Sequence, residues 1–536
     1  MTTDHVIHPS IAADKIIPPD QLVGDIPRRH AAERPDGLAW VTPARSWTFA
    51  EANAAANRIA QGLLSLRIAR GDRVACLTRH GAECTLLMVA ANRIGAVCAP
   101  LNWRLARPEV QYVIGHSQAR FVMVDREFLP LLQGQKLPLV LTDGAQDGHQ
   151  GLHDWLARFD AVDPHRDVSP DDAALQLYSS GTTGLPKGIE ITHRGLLLAC
   201  KSYAMVCQID ADTVMLNALP SFHIAGVENT LTTLIEGGCT LHHLQFDPKA
   251  VIEAIAHEHV THVFLVPAMM LFVLQHPSGA QADFSSLRMV SYGGSPIAES
   301  LLAEAQRRFG CDLLQTYGMT EAAGPITWLL PEDHDPNGPR THLLRSAGMP
   351  SPGVDVRVVD PASGDDCAND QVGEIWVRAM TNMRGYWRDA QATSAAFPKG
   401  RDERGGWMRT GDAGYHHDGY LYIHDRMKDM IISGGENIYP AEIENVLAAH
   451  PAVSECGVIG VPDERWGEAV KACVVLRPGE SADAAEIIAW LRERIAHYKC
   501  PKSLDFVDAL PRNPSGKLLK RVLRQPYWED SQRQVS

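Results

Sequence analysis

The chain has 536 residues, 45% hydrophobic and 21% charged, and its 50 basic against 64 acidic side chains give a formal charge of −14. That length is too great for one ordinary core and calls for at least two domains. The acidic balance argues against nucleic-acid binding and against a polybasic membrane anchor, so an anionic ligand would need a locally positive site. The 11 cysteines are scattered, with no C-x-x-C pair, which reads as reduced thiols in a cytoplasm, not a disulfide framework or a zinc site. The first residues show no basic n-region and no apolar h-region, and no apolar run approaches ~18 residues. We therefore expect neither a signal peptide nor an integral membrane segment.

In chain order, "FAEANAAANRIAQGLLSL" (49–66) has helical spacing and "ARFVMVD" (119–125) reads as a buried strand. "AALQLY" (173–178) is a second strand pattern, "PKAVIEAIAHE" (248–258) a helix and "HVTHVFLVP" (259–267) another strand. "AESLLAEAQRRFG" (298–310) is a helix with its stop at Gly310. This alternation predicts an α/β architecture of parallel sheets covered on both faces by helices, with ligands at loops beyond the strand C-termini. Near residue 425 the composition shifts. Strand patterns at 454–462 and 469–479 and a helix pattern at 482–498 predict a small separate α+β unit. The last residues are polar and are expected to fray.

The loop in "YSSGTTGLPKGIEITH" (178–193) follows the strand pattern 173–178 and buries almost nothing. Its glycines let backbone N–H groups converge, its hydroxyls add donors, and Lys187 adds a point charge, a set suited to a polyphosphate. A surface linker is the other reading of the loop alone. Its spacing is not that of a Walker A loop, because Gly188 follows Lys187.

Other islands decide between these readings. "YGMTE" (317–321), "RTGD" (409–412), "DRMKDMIISGGENIYPAEIE" (425–444) and "PRNPSGKLLKR" (511–521) complete an ordered set. With "SSGTTGLPKG" they resemble the AMP-forming acyl-CoA synthetases, within the superfamily that holds adenylation domains and beetle luciferases, from about residue 25 to about residue 525. The branch most similar is that of bacterial fatty-acyl-CoA synthetases. The resemblance implies a large N-terminal domain (1–427) holding ATP and the acyl group. It also implies a small mobile C-terminal domain (428–524) and a polar tail (525–536). It further implies activation of a carboxylic acid by Mg-ATP, release of pyrophosphate, and transfer of the acyl group from the adenylate to coenzyme A.

The same resemblance assigns residues. Ser179, Ser180, Gly181, Thr182, Thr183, Gly184 and Lys187 should cradle the β- and γ-phosphates. Gly293, Gly294, Ser295 and Pro296 match the adenine strand and turn. Thr316, Tyr317, Gly318 and Met319 continue the nucleotide site, with Tyr317 stacked on the base. Thr320 should bond the α-phosphate and Glu321 should hold Mg²⁺. Asp412 should accept the ribose hydroxyls, and Arg426 should reach the ribose or phosphate, although Asp425 stands where the family usually has glycine. Lys517 should bridge the acid and the α-phosphate. Lys428 falls at the hinge, and rotation there would bring Ser433, Gly434 and Gly435 to the CoA side. "PSFHIAG" (220–226) lines the acyl pocket, with His223, Ala225, Val227 and Glu228, and the small Ala225 and Gly226 argue for a roomy tunnel. His223 is read first as a gate or polar orienter and last as a general base.

These assignments imply an acid–CoA ligase for a medium- or long-chain fatty acid or a bulky cyclic acid, working on a small molecule in the cytoplasm. A homodimer is compatible with the resemblance. The competing readings are an aryl- or cinnamate-type ligase and a stand-alone adenylation enzyme that loads a carrier protein. A catalytically silent nucleotide binder is disfavoured by Lys187, Glu321, Asp412 and Lys517.

Overall fold

Helix starts and stops follow local chemistry. In Phe49–Ser65, Thr48 accepts from the Glu51 N–H and Glu51 returns a bond to the Thr48 N–H, while Phe49, Ala52, Ala56, Ile59 and Leu63 turn inward. Glu299–Phe309 ends at Gly310, whose φ of 63° needs no Cβ. The strand expected at 259–267 narrows to His262–Leu265, because Pro267 opens the next helix, Pro267–Gln275. The helix expected at 482–498 forms over Ala484–Arg492 behind an Asp483 cap. The structure is a computed structural model describing residues 7, 9, 11–18, 20–79, 81–146, 148–179, 186–295, 297–433, 436–463, 465–512 and 518–528. For 425, 426, 428, 436 and 437 it describes the backbone alone.

The described strands form four sheets. In the first, Ala173–Ser179, Val97–Pro100, Arg73–Leu77, Ala119–Val124 and Leu139–Leu141 run parallel in that order. Lys187–Thr192 and then Gly385–Tyr386 add antiparallel strands at one edge. In the second, the centre is parallel from Asp312–Met319 through Met289–Gly293, His262–Leu265, Val214–Asn217 and Cys239–His242 to Leu38–Val41. Gly324–Leu329 and Ser46–Thr48 flank it in antiparallel sense. Helices cover these two sheets, giving the α/β fold that the strand–helix alternation predicts.

The third sheet departs from the parallel pattern. Asp355–Val359, Gly373–Arg378, Trp407–His417 and Tyr420–Arg426 are antiparallel throughout. Its last hairpin turns on Asp418 and Gly419 at φ 48° and 84°, the paired positive φ of a tight two-residue turn. The fourth sheet holds Glu436–Ile438, Ile431–Ser433, Gly467–Leu476, Val453–Asp463 and Ser503–Phe506, with a core of its own around Ile443, Val458, Val470 and Leu491. Rings bridge the third sheet and this smaller unit. Tyr422 stacks on Tyr415 at 4.9 Å and 6°, Tyr415 lies 5.4 Å from His424, and His424 lies 4.9 Å from Tyr439. Among the described residues no helix is long and apolar enough to cross a membrane.

Candidate active site

The site residues predicted from the sequence fall largely at strand ends and the loops beyond them. Met289–Gly293 and Asp312–Met319 are neighbours in register, with Gly293 beside Thr316. A Cβ at Gly293 would collide with the Thr316 carbonyl, so glycine is required for the approach. Gly294 takes a φ of 82° and turns the chain away. Thr316 Oγ1 is buried with no hydrogen-bond partner among the described residues. Gly318 also admits no Cβ, because the Gly324 carbonyl presses on it. Beyond Met319 the chain winds into a single turn, Thr320–Ala322, which buries Glu321 to 9% exposure.

The polar side chains of this region form two partnered groups. Tyr386 Oη donates to Glu321 Oε1 at 3.2 Å, and Ser179 Oγ reaches the same oxygen at 3.4 Å. Lys187 Nζ lies 5.1 Å from the centre of the Tyr386 ring and 4.0 Å from Asp389 Oδ2. Four residues before Glu321, Tyr317 Oη donates to Asp412 Oδ2 at 2.7 Å. In the antiparallel ladder Asp412 stands directly across from Arg426. Lys187 and Glu321 thus meet through Tyr386, and Asp412 meets Tyr317, four residues before Glu321. Sequence reasoning missed Tyr386 and Asp389. The signal was the short "GYW" run at 385–387, an aromatic edge strand laid against Lys187–Thr192.

The residues that the resemblance assigns to the acyl pocket sit at the helix Ile224–Glu236, which His223 precedes at φ −111° and ψ 143° without capping it through its side chain. Gly226 is tight, since a Cβ there would strike the Pro220 carbonyl. Burial, and secondarily the nearby Arg104 charge, push the His223 pKa down to about 4, so its ring is neutral near pH 7. Its Nε2 is buried with no hydrogen-bond partner among the described residues. Val227 packs in the main core. Glu228 is 3% exposed, and burial holds its carboxyl well above the ordinary carboxylate range. A Cβ at Gly324, three residues past Glu321, would lie 2.7 Å from Glu228 Oε2, so the helix approaches the loop carrying Glu321 there.

Ser180, Gly181, Thr182, Thr183, Gly184, Pro296, Gly434, Gly435 and Lys517 lie outside the described residues. For Arg426 and Lys428 the backbone alone is described. Ser433 ends the strand Ile431–Ser433 in the small sheet, opposite Gly467. Ser295 lies exposed just beyond the Gly294 turn.

Two parallel-centred sheets, a glycine-guarded strand pair and a row of partnered carboxylates define an enzyme of the adenylate-forming class. The chain belongs to the AMP-binding enzyme family: residues 27–387 match that family and residues 442–517 match the AMP-binding enzyme C-terminal domain. It is 39% identical to a feruloyl-CoA synthase of an Amycolatopsis species over 95% of this chain and 99% of that one. It is 37% identical to the fatty acid–[acyl-carrier-protein] ligase ScoC of Streptomyces coeruleorubidus, over 95% and 96%. The solved structure of ATP-bound MatB from Rhodopseudomonas palustris superposes with a TM-score of 0.85 at 31% identity, covering 95% of this chain and all of that one.

Proposed function

We propose that the protein is an ATP-dependent carboxylic acid–CoA ligase that forms an acyl-adenylate, releases pyrophosphate and AMP, and acts on a hydrophobic fatty or cyclic acid. The observation that carries the reading is a pair of contact groups four residues apart in the chain: Lys187 beside Tyr386, which bonds Glu321, and Tyr317, which bonds Asp412. A cation, a hard oxygen donor, an aromatic face and a second carboxylate are the groups that a nucleotide triphosphate needs.

Two anions must meet when a carboxylate attacks the α-phosphorus, so the work of the site is neutralisation and alignment. Lys187 meets the outer phosphates, with Ser179 and the loop residues through Gly184 beside it. Tyr317 stacks on adenine between the Gly293–Gly294 wall and Asp412, which accepts from the ribose. Thr320 donates to the α-phosphate. Glu321 suits Mg²⁺, because magnesium takes one or two carboxylates together with phosphate oxygens, and the ion would neutralise charge on the leaving pyrophosphate. Lys517 supplies the charge between acid and phosphate, and the chain divides at 427/428, with Lys428 as the pivot and Ser433 to Gly435 facing CoA. All 11 cysteines are free, which suits a reducing cytoplasm. We keep the homodimer as an expectation for a sizing experiment.

A second reading differs only in the acceptor. The 37% identity to a ligase that loads an acyl carrier protein favours discharge of the adenylate to a carrier thiol. Acid-dependent ATP–pyrophosphate exchange tests the shared first step, and its absence with every acid would remove both readings. Discharge to free CoA supports the first, and discharge to a carrier protein alone supports the second. A panel of octanoate, palmitate, benzoate, ferulate and a steroid side-chain acid then grades the acyl group.

A further inference from the structure

Ser179 ends the strand Ala173–Ser179, Lys187 opens its partner Lys187–Thr192, and the two residues form the last rung of that ladder. Ser179 reaches Glu321, and Lys187 lies beside Tyr386. The sequence between them is rich in glycine and hydroxyls and brings little to pack, so the rung has to be set by the strands behind it.

Those strands carry a buried polar network. Behind the rung, Tyr178 stands across from Gly188 and Gln176 across from Glu190. Gln176 is fully buried. Its Nε2 donates to Tyr178 Oη at 3.0 Å, and its Oε1 accepts from Arg73 Nε at 3.0 Å. Arg73 opens the strand Arg73–Leu77, on the far side of Val97–Pro100, and is 5% exposed. Its Nη2 donates to Glu190, its Nη1 donates to the Gly71 carbonyl, and its face lies 3.3 Å from the centre of the Trp387 ring. The Trp387 backbone N–H donates to the Gly188 carbonyl at 2.7 Å, and its Nε1 donates to the His116 carbonyl at 3.1 Å. His116 Nδ1 closes the circuit at 3.0 Å from Tyr178 Oη.

Arg73 gives this network a direction. A guanidinium only donates, so it turns the Gln176 carbonyl oxygen toward itself and leaves the amide N–H for Tyr178. Gly188 admits the arrangement, because a Cβ there would crowd Gln176 Nε2 at 2.7 Å and the Tyr178 ring at 3.2 Å. The glycine after Lys187 thus serves the side chains behind the rung.

We propose that Arg73 is a positioning residue for adenylation: acting through Gln176 and Tyr178, it sets Ser179 and Lys187 against the outer phosphates of ATP. This deepens the ligase reading and rests on it. Lysine cannot take the place of Arg73, since one ammonium cannot bond Gln176, Glu190 and Gly71 from a single plane while lying flat on Trp387. The bonds traced above end at the Ser179–Lys187 rung, whereas adenine and ribose fall to Gly293, Tyr317 and Asp412. The effect should therefore fall on the outer phosphates.

The test compares binding of Mg-ATP and of AMP by calorimetry, alongside acid-dependent ATP–pyrophosphate exchange. In Arg73→Lys the Kd for Mg-ATP should rise about 3- to 10-fold, the scale of one net hydrogen bond, and the Kd for AMP should not change. In exchange, KM should rise for ATP and for pyrophosphate but not for the acid. A residue that only supports the fold would lower the active fraction, and so kcat, leaving every KM in place. Tyr178→Phe should show the same loss confined to ATP, and adding Arg73→Lys to it should bring no further loss, because both cut one path. Equal weakening of ATP and AMP, unchanged ATP binding in Arg73→Lys, or full additivity in the double variant would each overturn the proposal. Should Arg73→Lys not fold, Tyr178→Phe carries the same prediction, and unchanged ATP binding there counts against it. Exchange by the unaltered protein together with undiminished ATP binding in the variants removes this inference alone. No exchange with any acid removes the ligase reading and this inference together.

Discussion

The two halves of the cleft treat buried carboxyl groups in opposite ways. On the nucleotide side Glu321 takes bonds from Tyr386 and Ser179, and Asp412 takes one from Tyr317. On the acyl side Glu228 is as deeply buried and, among the described residues, has neither a cation nor a hydrogen at Oε1. Partnered carboxyl groups hold their geometry before substrate arrives, which suits a ligand that never varies. Completeness of hydrogen bonding thus separates these two sets of buried carboxyl groups.

The largest effect should come from a residue outside both halves. Lys517→Ala should slow adenylation roughly 10²- to 10³-fold, the scale of losing one charge-stabilising group. Transfer from supplied acyl-adenylate to CoA should persist, and single-turnover measurement of each half-reaction checks this. If both steps fail together, Lys517 does not act in adenylation alone. Next comes Asp412→Asn. Hydrogen bonds to a charged group contribute about 1.5–3 kcal/mol, so kcat/KM for ATP should drop about 10- to 100-fold with little change in selectivity among acids. A shift in acid selectivity would blur the division between the halves.

Stability against pH offers a third test. Burial pushes His193, His223 and His262 down to about 4 and His242 down to about 3. Between those values and about 6.5 the unfolded chain binds protons that the folded chain refuses, so stability must fall as pH drops through that window. Each such proton contributes up to ~1.4 kcal/mol per pH unit. Denaturant titrations at several pH values should show His242→Gln flattening the slope by about one proton. An unchanged slope would mean that His242 is already charged in the fold. The smallest effect belongs to Tyr317→Phe, which keeps the ring but frees Asp412. The lost bond is to Asp412 and not to the nucleotide itself, so only a typical net contribution of about 0.5–1.5 kcal/mol is expected, and KM for ATP should rise about 3- to 10-fold.

Much of the fold and of the nucleotide side is legible in the amino-acid sequence. Caps and stops at Thr48 and Gly310 mark helix ends because they act on their own neighbours. Short glycine-bearing motifs mark the cleft because close backbone approach leaves no choice of residue, as at Gly293 and Gly318. The antiparallel third sheet is legible only at its Asp418–Gly419 turn, a hairpin signal that the strand–helix rhythm obscures. Tyr386 as a partner of Glu321, and Tyr203 as the brace of Asn229, are not legible at all. Such pairs are joined by folding across long stretches of chain, and nothing in the local pattern of either residue announces the other.

The ring series from Tyr422 and Tyr415 through His424 to Tyr439 carries a practical consequence. Rings held face to face couple their electronic transitions and impose a handed signal in the near ultraviolet. Turning the smaller unit about Lys428 would part His424 from Tyr439 while leaving Tyr415 on Tyr422. Were the smaller unit to turn in this way, circular dichroism near 280 nm should change in the Tyr439 contribution and keep that of the Tyr415–Tyr422 pair, a test of rotation that needs no attached dye.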